Sequence, residues 1–291
     1  MSDEIGSLLE PKKRGDFKSL ARLLTLLEEI GPLALKNKRL LEPEHAALRI
    51  GITGPPGAGK STLISELIAH FRKQNKSVGV LAVDPSSPFT RGAVLGDRIR
   101  YHEHFQDEKV FIRSVGTRGS LGGLSAAIYL MARAFDAFGF DILLVETVGV
   151  GQTELEVMNV ADRVAVVVVP EFGDSIQAMK AGILEIAHVF VVNKADRPGA
   201  DAIATELKTW AEKPVVQTIA LEKKGVAELA ALLSQVETGL IEKHRNDPQR
   251  LQAEARALVR MAVEKSLENR FKRIRSSGDI PKLISDLTLR I

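Results

Sequence analysis

Apolar residues follow two alternating rhythms along this chain. Seven short runs are apolar almost throughout: 48–53, 78–83, 110–115, 142–146, 164–169, 189–193 and 215–218. Between them apolar positions recur at helical spacing, as at Leu63, Ile64, Leu67 and Ile68. Runs without a polar face suit strands covered on both sides, and helical crossovers between such strands make a mostly parallel sheet. The pattern predicts a three-layer α/β domain over 48–236, with ligands gathered at the carboxyl ends of its strands.

The flanks differ. Residues 1–47 read as an N-terminal helical arm. After a charged lead-in, Phe17, Leu20, Leu24 and Leu27 share one helical face, with Asp16 as N-cap, Gly31-Pro32 as stop and a second helical stretch over about 33–47. Residues 237–291 read as a helical tail, with apolar positions at Leu251, Ala255, Leu258, Ala262, Leu267, Phe271 and Ile274. A helix that long must bury its stripe, on the α/β domain or on another subunit. The second is favoured, because the α/β unit has helices of its own.

Composition adds limits. At 291 residues, 45% apolar and 26% charged, the chain is ordinary for a globular protein. A net charge of +3 gives no argument for nucleic acid. With no cysteine there is no disulfide and no thiolate metal site. The N-terminus has no apolar leader and no run approaches a membrane span, so a cytoplasmic protein is expected. From Leu240 onward the chain carries twelve Lys/Arg against seven Asp/Glu, as a solvated helical tail would.

Chemistry enters between the first strand and the first long helix. Gly54-Pro55-Pro56-Gly57-Ala58-Gly59-Lys60-Ser61-Thr62 matches G-x-x-x-x-G-K-[ST], the loop of P-loop NTPases. Glycines let backbone N–H groups turn inward around phosphates, and the following helix adds its positive end. Lys60 would reach the β- and γ-phosphates and Ser61 would ligate Mg²⁺. The loop alone leaves the base open.

Asn193-Lys194-Ala195-Asp196, directly after an apolar run, addresses the base. Guanine presents N1–H and N2–H₂ side by side, and one carboxylate at Asp196 can accept from both; adenine presents an acceptor there. Asn193 can support the base edge and the Lys194 stem can cover a ring face, so the expected ligands are GTP and GDP. The metal side rests on Glu146, at the end of an apolar run, with Gly149 three residues on as a γ-phosphate sensor. Familiar small GTPases have aspartate where this chain has Glu146. Asp84 and Asp97 are further candidates for the metal or water shell, though either could cap a turn or helix. Gln152 could orient the attacking water and stays outside the catalytic set. Arg91, Arg98, Arg100 and Arg118 offer no basis for choosing a transition-state finger. His102 and His104, two apart, would chelate a metal only in an extended segment.

Together, "GPPGAGKSTLI", "VDPSSPFTRGAVLGDR", "TRGSLGGLS", "VETVGVGQTE" and "GDSIQAMKAGILEIAHVFVVNKAD" resemble the methylmalonyl-CoA mutase-associated GTPases, the MeaB-like family once called arginine/ornithine transport ATPases. The resemblance covers nearly the whole chain. It implies a homodimeric, Mg²⁺-dependent GTPase that escorts an adenosylcobalamin-dependent acyl-CoA mutase, gating cofactor delivery and protecting the mutase. A cobalamin adenosyltransferase is a further implied partner. By the same resemblance Lys60, Ser61, Asp84, Asp97 and Glu146 fall on phosphate, metal and hydrolysis positions, and Asp196 on the guanine-reading one. Asp174 and Lys180 fall in the mutase-responsive switch, and 237–291 on the dimerisation segment. Ile219-Ala220-Leu221 falls where many relatives have Ser-Ala-x backing the guanine; Ala220 is kept and a hydroxyl at Ile219 is lost. Two rivals share parts of the pattern. A small-molecule kinase has no use for N-K-x-D, and a metal-delivery GTPase would want a Cys or His cluster.

Overall fold

A computed structural model describes residues 2–10, 15–84, 101–116, 126–147, 157, 159–172, 183–237, 239–271 and 281 of the chain. Helices α1 (Ser2–Leu8), α2 (Phe17–Ile30) and α3 (Lys38–Leu41) precede the sheet. Then follow β1 (Leu48–Thr53), α4 (Lys60–Lys73), β2 (Val78–Asp84), β3 (Val110–Gly116), α5 (Ala127–Ala137) and β4 (Ile142–Glu146). After these come β5 (Arg163–Val168), α6 (Ile183–Ile186), β6 (Val189–Asn193), α7 (Ala200–Ala211), β7 (Val215–Thr218) and α8 (Val226–Ser234). The chain continues through α9 (Leu240–Arg245) and α10 (Pro248–Phe271).

All seven strands pair in parallel, in the order β3-β2-β4-β1-β5-β6-β7. The expected strands are present with bounds shifted by one residue at most. Successive side chains alternate between two buried faces. Leu143, Val145, Val164 and Val166 join α2 and α5 on one, while Ile50, Ile52, Leu144 and Val167 join α4 and α8 on the other. Both faces are apolar, so the strands read as continuous apolar runs.

The N-terminal arm packs into the first of these faces. Asp16 caps α2, its carboxylate accepting from Lys18 N and Ser19 Oγ, and Gly31 ends the helix at φ 68°. Leu20, Leu23, Leu24 and Leu27 are fully buried against a cluster that includes Tyr129 and Phe135 of α5. The second helical stretch is shorter than expected: a 3-10 turn over Gly31–Lys36, then α3.

Helix α10 lies partly on its own chain and is partly exposed. One face lies on its own chain, where Leu258 is buried with Ala257 and Met261 packed beside it. Glu254 there accepts two hydrogen bonds from Arg133, at 2.8 and 3.0 Å, and Lys265 Nζ donates to the Glu28 carbonyl. Leu251, Val259, Val263 and Phe271 are exposed on the same helix. Arg245 of α9 fastens the tail's root: it donates to Asp136 (2.8 Å) and to the Ala47 carbonyl (2.7 Å). Asp136 also takes Arg49 at 2.5 Å and the Ala47 N–H at 3.0 Å. Burial opposes the Arg49 charge, but Asp136 and Asp162 outweigh it and raise its pKa. Asp162 is raised instead, since burial exceeds what Arg245 and Arg49 return. A cavity of about 690 Å³, lined in part by Arg49, Asp136, Asp162 and Arg245, opens over this seam, at the amino-terminal edge of the sheet.

Candidate active site

The opposite edge holds the phosphate loop. It leaves β1 after Thr53 and enters α4 at Lys60, and two of its glycines are dictated by their surroundings. Gly54 has φ 136°, and a Cβ there would sit 2.0 Å from the Val167 carbonyl oxygen. Gly59 has φ 83°, and its Cβ would meet Asn193 Nδ2 at 2.5 Å. At Gly54 a side chain would push the loop off the sheet, and at Gly59 it would displace the Asn193 amide. The crest at Pro56 and Gly57 is exposed, and nothing stands within 4 Å of where a Gly57 Cβ would be. A glycine-rich loop of this kind can cradle phosphates on its backbone N–H groups.

Lys60 is buried, its Nζ donating to the carbonyls of Gly54 (2.8 Å) and Pro55 (3.0 Å). The ammonium is thus held under the cradle by the loop itself. Ser61 Oγ donates to Glu146 Oε1 at 2.7 Å. Glu146, at the end of β4, is 5% exposed, and its other oxygen accepts from Tyr101 Oη at 2.5 Å. Next to it, Thr147 donates its N–H to the Ile52 carbonyl (3.1 Å) and its hydroxyl to Thr53 Oγ1 (2.8 Å). These bonds lock the ends of β1 and β4 together and bring Glu146 beside the loop. A hydroxyl and a carboxylate side by side form an all-oxygen set, which suits Mg²⁺ and fits the implied ion. A hydroxyl whose proton goes to Glu146 keeps lone pairs for a cation.

The N-K-x-D stretch approaches from β6. Asn193 is buried, and its amide is bonded within the protein. Its Nδ2 donates to the Ala58 carbonyl at 2.9 Å, while its Oδ1 accepts from Thr218 Oγ1 (3.0 Å) and Ala220 N (3.3 Å). It is a clamp between two loops, because it lies under the cradle. Lys194, at φ 56°, stretches across the gap and donates to the Gly57 carbonyl at 2.8 Å. Asp196 follows, exposed beyond Lys194. Ala220 is buried behind Asn193, Ile219 N bonds the Lys224 carbonyl at 3.1 Å, and Leu221 is 84% exposed. Thr62 is half-buried in the first turn of α4.

Other candidates are not reached. The backbone of Asp84 ends β2, paired with Gly116. The Asp84 side chain, Asp97, Gly149, Gln152, Asp174, Lys180 and the four candidate arginines lie outside the described residues. His104 is committed elsewhere: its Nε2 bonds Ser65 Oγ of α4 at 2.8 Å, and burial lowers its pKa. No group of three or more metal-binding side chains occurs among the described residues. Tyr101 was missed from sequence; its one signal is a lone aromatic in the polar run "DRIRYHEH".

With this geometry in view, the chain was compared with known proteins. The family model described as "Methylmalonyl Co-A mutase-associated GTPase MeaB" matches residues 20–276. This chain belongs to the MeaB family. It is therefore a P-loop GTPase. A putative GTPase of Pyrococcus abyssi is 50% identical over 238 residues, covering 77% of this chain and 74% of that protein. GTPase ArgK of Escherichia coli is 33% identical, covering 89% of this chain and 84% of that one. A solved structure described as an LAO/AO transport system kinase aligns with a TM-score of 0.60 and 26% identity, covering 99% of this chain and 90% of that one. No helix among the described residues is long and apolar enough to cross a membrane.

Proposed function

We propose that this chain is a Mg²⁺-dependent GTPase that serves as chaperone to an adenosylcobalamin-dependent acyl-CoA mutase, gating cofactor loading and protecting the mutase from inactivation. The observation that carries the GTP half is the Asn193 clamp on Ala58. It joins the N-K-x-D stretch to the phosphate cradle, so one nucleotide can span both. The mutase half rests on the family description. The methylmalonyl-CoA enzyme is the first candidate partner, its isobutyryl- and hydroxyisobutyryl-CoA relatives the next, and a cobalamin adenosyltransferase a further one.

In this reading Asp196 accepts from guanine N1–H and N2–H₂, the Lys194 stem covers a ring face, and Ile219, Ala220 and Leu221 back the base. Lys60 exchanges the Gly54 and Pro55 carbonyls for the β- and γ-phosphates. Ser61 and Glu146, with Asp84 and Asp97, hold the cation. Mg²⁺ supplies neutralisation of charge on the β- and γ-oxygens. Gly149 senses the γ-phosphate, and Asp174 and Lys180 relay the mutase's presence. The exposed stripe Leu251, Val259 and Val263 of α10 meets a second copy of the chain.

The test is GTP turnover by the full chain with and without purified methylmalonyl-CoA mutase. Acceleration that Asp174→Ala and Lys180→Ala remove, at unchanged basal turnover, supports the reading. A basal rate indifferent to every candidate mutase overturns the chaperone half and leaves the GTPase.

A further inference from the structure

The carboxylate of Glu146 is held at both oxygens, at one by the phosphate loop and at the other by a residue outside it. Ser61 Oγ donates to Oε1 at 2.7 Å, and Tyr101 Oη donates to Oε2 at 2.5 Å. The second distance is that of a short, charge-assisted O–H···O⁻ bond. Tyr101 is completely buried, and its ring lies in the same apolar cluster as Ile64, Leu67 and Ala82. A buried phenol must find an acceptor, and the one it finds is the carboxylate beside the cradle.

The turn that carries Tyr101 is itself anchored to α4. His104 N donates to the Tyr101 carbonyl at 3.0 Å, and the His104 ring bonds Ser65 Oγ at 2.8 Å. The phenol therefore approaches from a fixed base. A glutamate also has one more rotatable bond than an aspartate, so its carboxylate has more freedom to restrict. A second tether at Oε2 removes that freedom. It fixes Oε1 where it takes the Ser61 proton and so turns the hydroxyl's lone pairs outward.

We propose that Tyr101 is a positioning residue for the cation site: its hydroxyl holds Glu146, which in turn orients Ser61 for Mg²⁺. This rests on the reading above that Ser61 and Glu146 serve the cation. It assigns the loop's metal side a third member that matches no motif and lies on a separate segment. Outer partners of metal ligands commonly affect metal affinity by about 10- to 100-fold.

The experiment uses the full chain loaded with a fluorescent GDP analogue. Release of the analogue is followed across a Mg²⁺ titration and in EDTA, with thermal melts in parallel, for the unmodified protein, Tyr101→Phe and Glu146→Gln. Phenylalanine keeps the buried ring and removes only the hydroxyl. Tyr101→Phe should raise the Mg²⁺ concentration that half-maximally slows release by about tenfold. Release in EDTA should stay within about twofold, because no nucleotide contact is removed. Glu146→Gln should shift the Mg²⁺ requirement at least as far. If Glu146→Gln shifts it and Tyr101→Phe does not, the role of Tyr101 is overturned while the Glu146 reading stands. If neither shifts it, the Glu146 reading fails and the inference with it. Loss of fold, or an equal change in release with and without Mg²⁺, would mean that the hydroxyl supports only the core and would also overturn the proposal.

Discussion

Asn193 donates from Nδ2 to the carbonyl of Ala58 at 2.9 Å, so the strand end that begins N-K-x-D is bolted to the phosphate loop. Its Oδ1 accepts from Thr218 and Ala220 at the same time, so three segments meet on one buried amide. Asn193→Ala would leave those partners unsatisfied in a dry site. We expect a loss of about 1–3 kcal/mol in denaturant unfolding, together with weaker binding of GTP and GDP alike. An unchanged unfolding midpoint would show that the clamp is dispensable.

Base selection should rest on Asp196. A site built on hydrogen bonds rejects a ligand that lacks them by about 10⁴–10⁵, so GTP should be preferred over ATP by at least about 10³. Asp196→Asn should weaken GTP and favour xanthosine triphosphate, whose extra carbonyl meets the new amide donor. Competition binding with the three nucleotides checks this, and equal ATP and GTP binding by the unmodified protein would sink the guanine reading.

The polar seam at the other edge should matter for stability rather than turnover. Asp136 neutralises both Arg49 and Arg245, with its side chain fully buried. Asp136→Ala removes the carboxylate that bonds both guanidinium groups and leaves them to Asp162, and breaking a buried pair in this way costs about 3–5 kcal/mol. Because Arg245 roots the tail, limited proteolysis near α9 should also quicken. Equal cleavage of both proteins would show that the tail is held elsewhere.

His188 gives the chain an acid-sensitive contact. Burial, reinforced by Arg163 and Lys213, pushes its pKa from 6.5 down to about 4, and its Nδ1 accepts the Val164 N–H at 3.1 Å. The folded pKa lies below the unfolded one, so between about pH 6.5 and 4 the unfolded chain binds a proton that the folded chain refuses. Stability should therefore fall as pH falls through that window. Melting temperatures of His188→Asn, which keeps an acceptor without the charge, should decline less steeply than those of the unmodified protein; parallel declines would remove His188 from the cause.

The local rhythm of the chain determined a good deal by itself. Strand positions were legible because residues buried on both faces leave an unbroken apolar run, and β1, β4 and β6 are buried at every position. The phosphate loop was legible because its backbone demands glycine where no side chain fits, as at Gly54 and Gly59. The cap at Asp16 and the stop at Gly31 are equally local. Only the tertiary structure decided which polar groups meet. Asn193 reaches Ala58 across 135 residues, Tyr101 reaches Glu146 across 45, and Arg245 reaches Asp136 across 109. The tail's apolar positions likewise divide between a face on Arg133 and the N-terminal arm and an exposed one. Periodicity records that a residue is buried. What it is buried against depends on strand order and register, which bring distant segments to one edge of the sheet and are not written in any one segment.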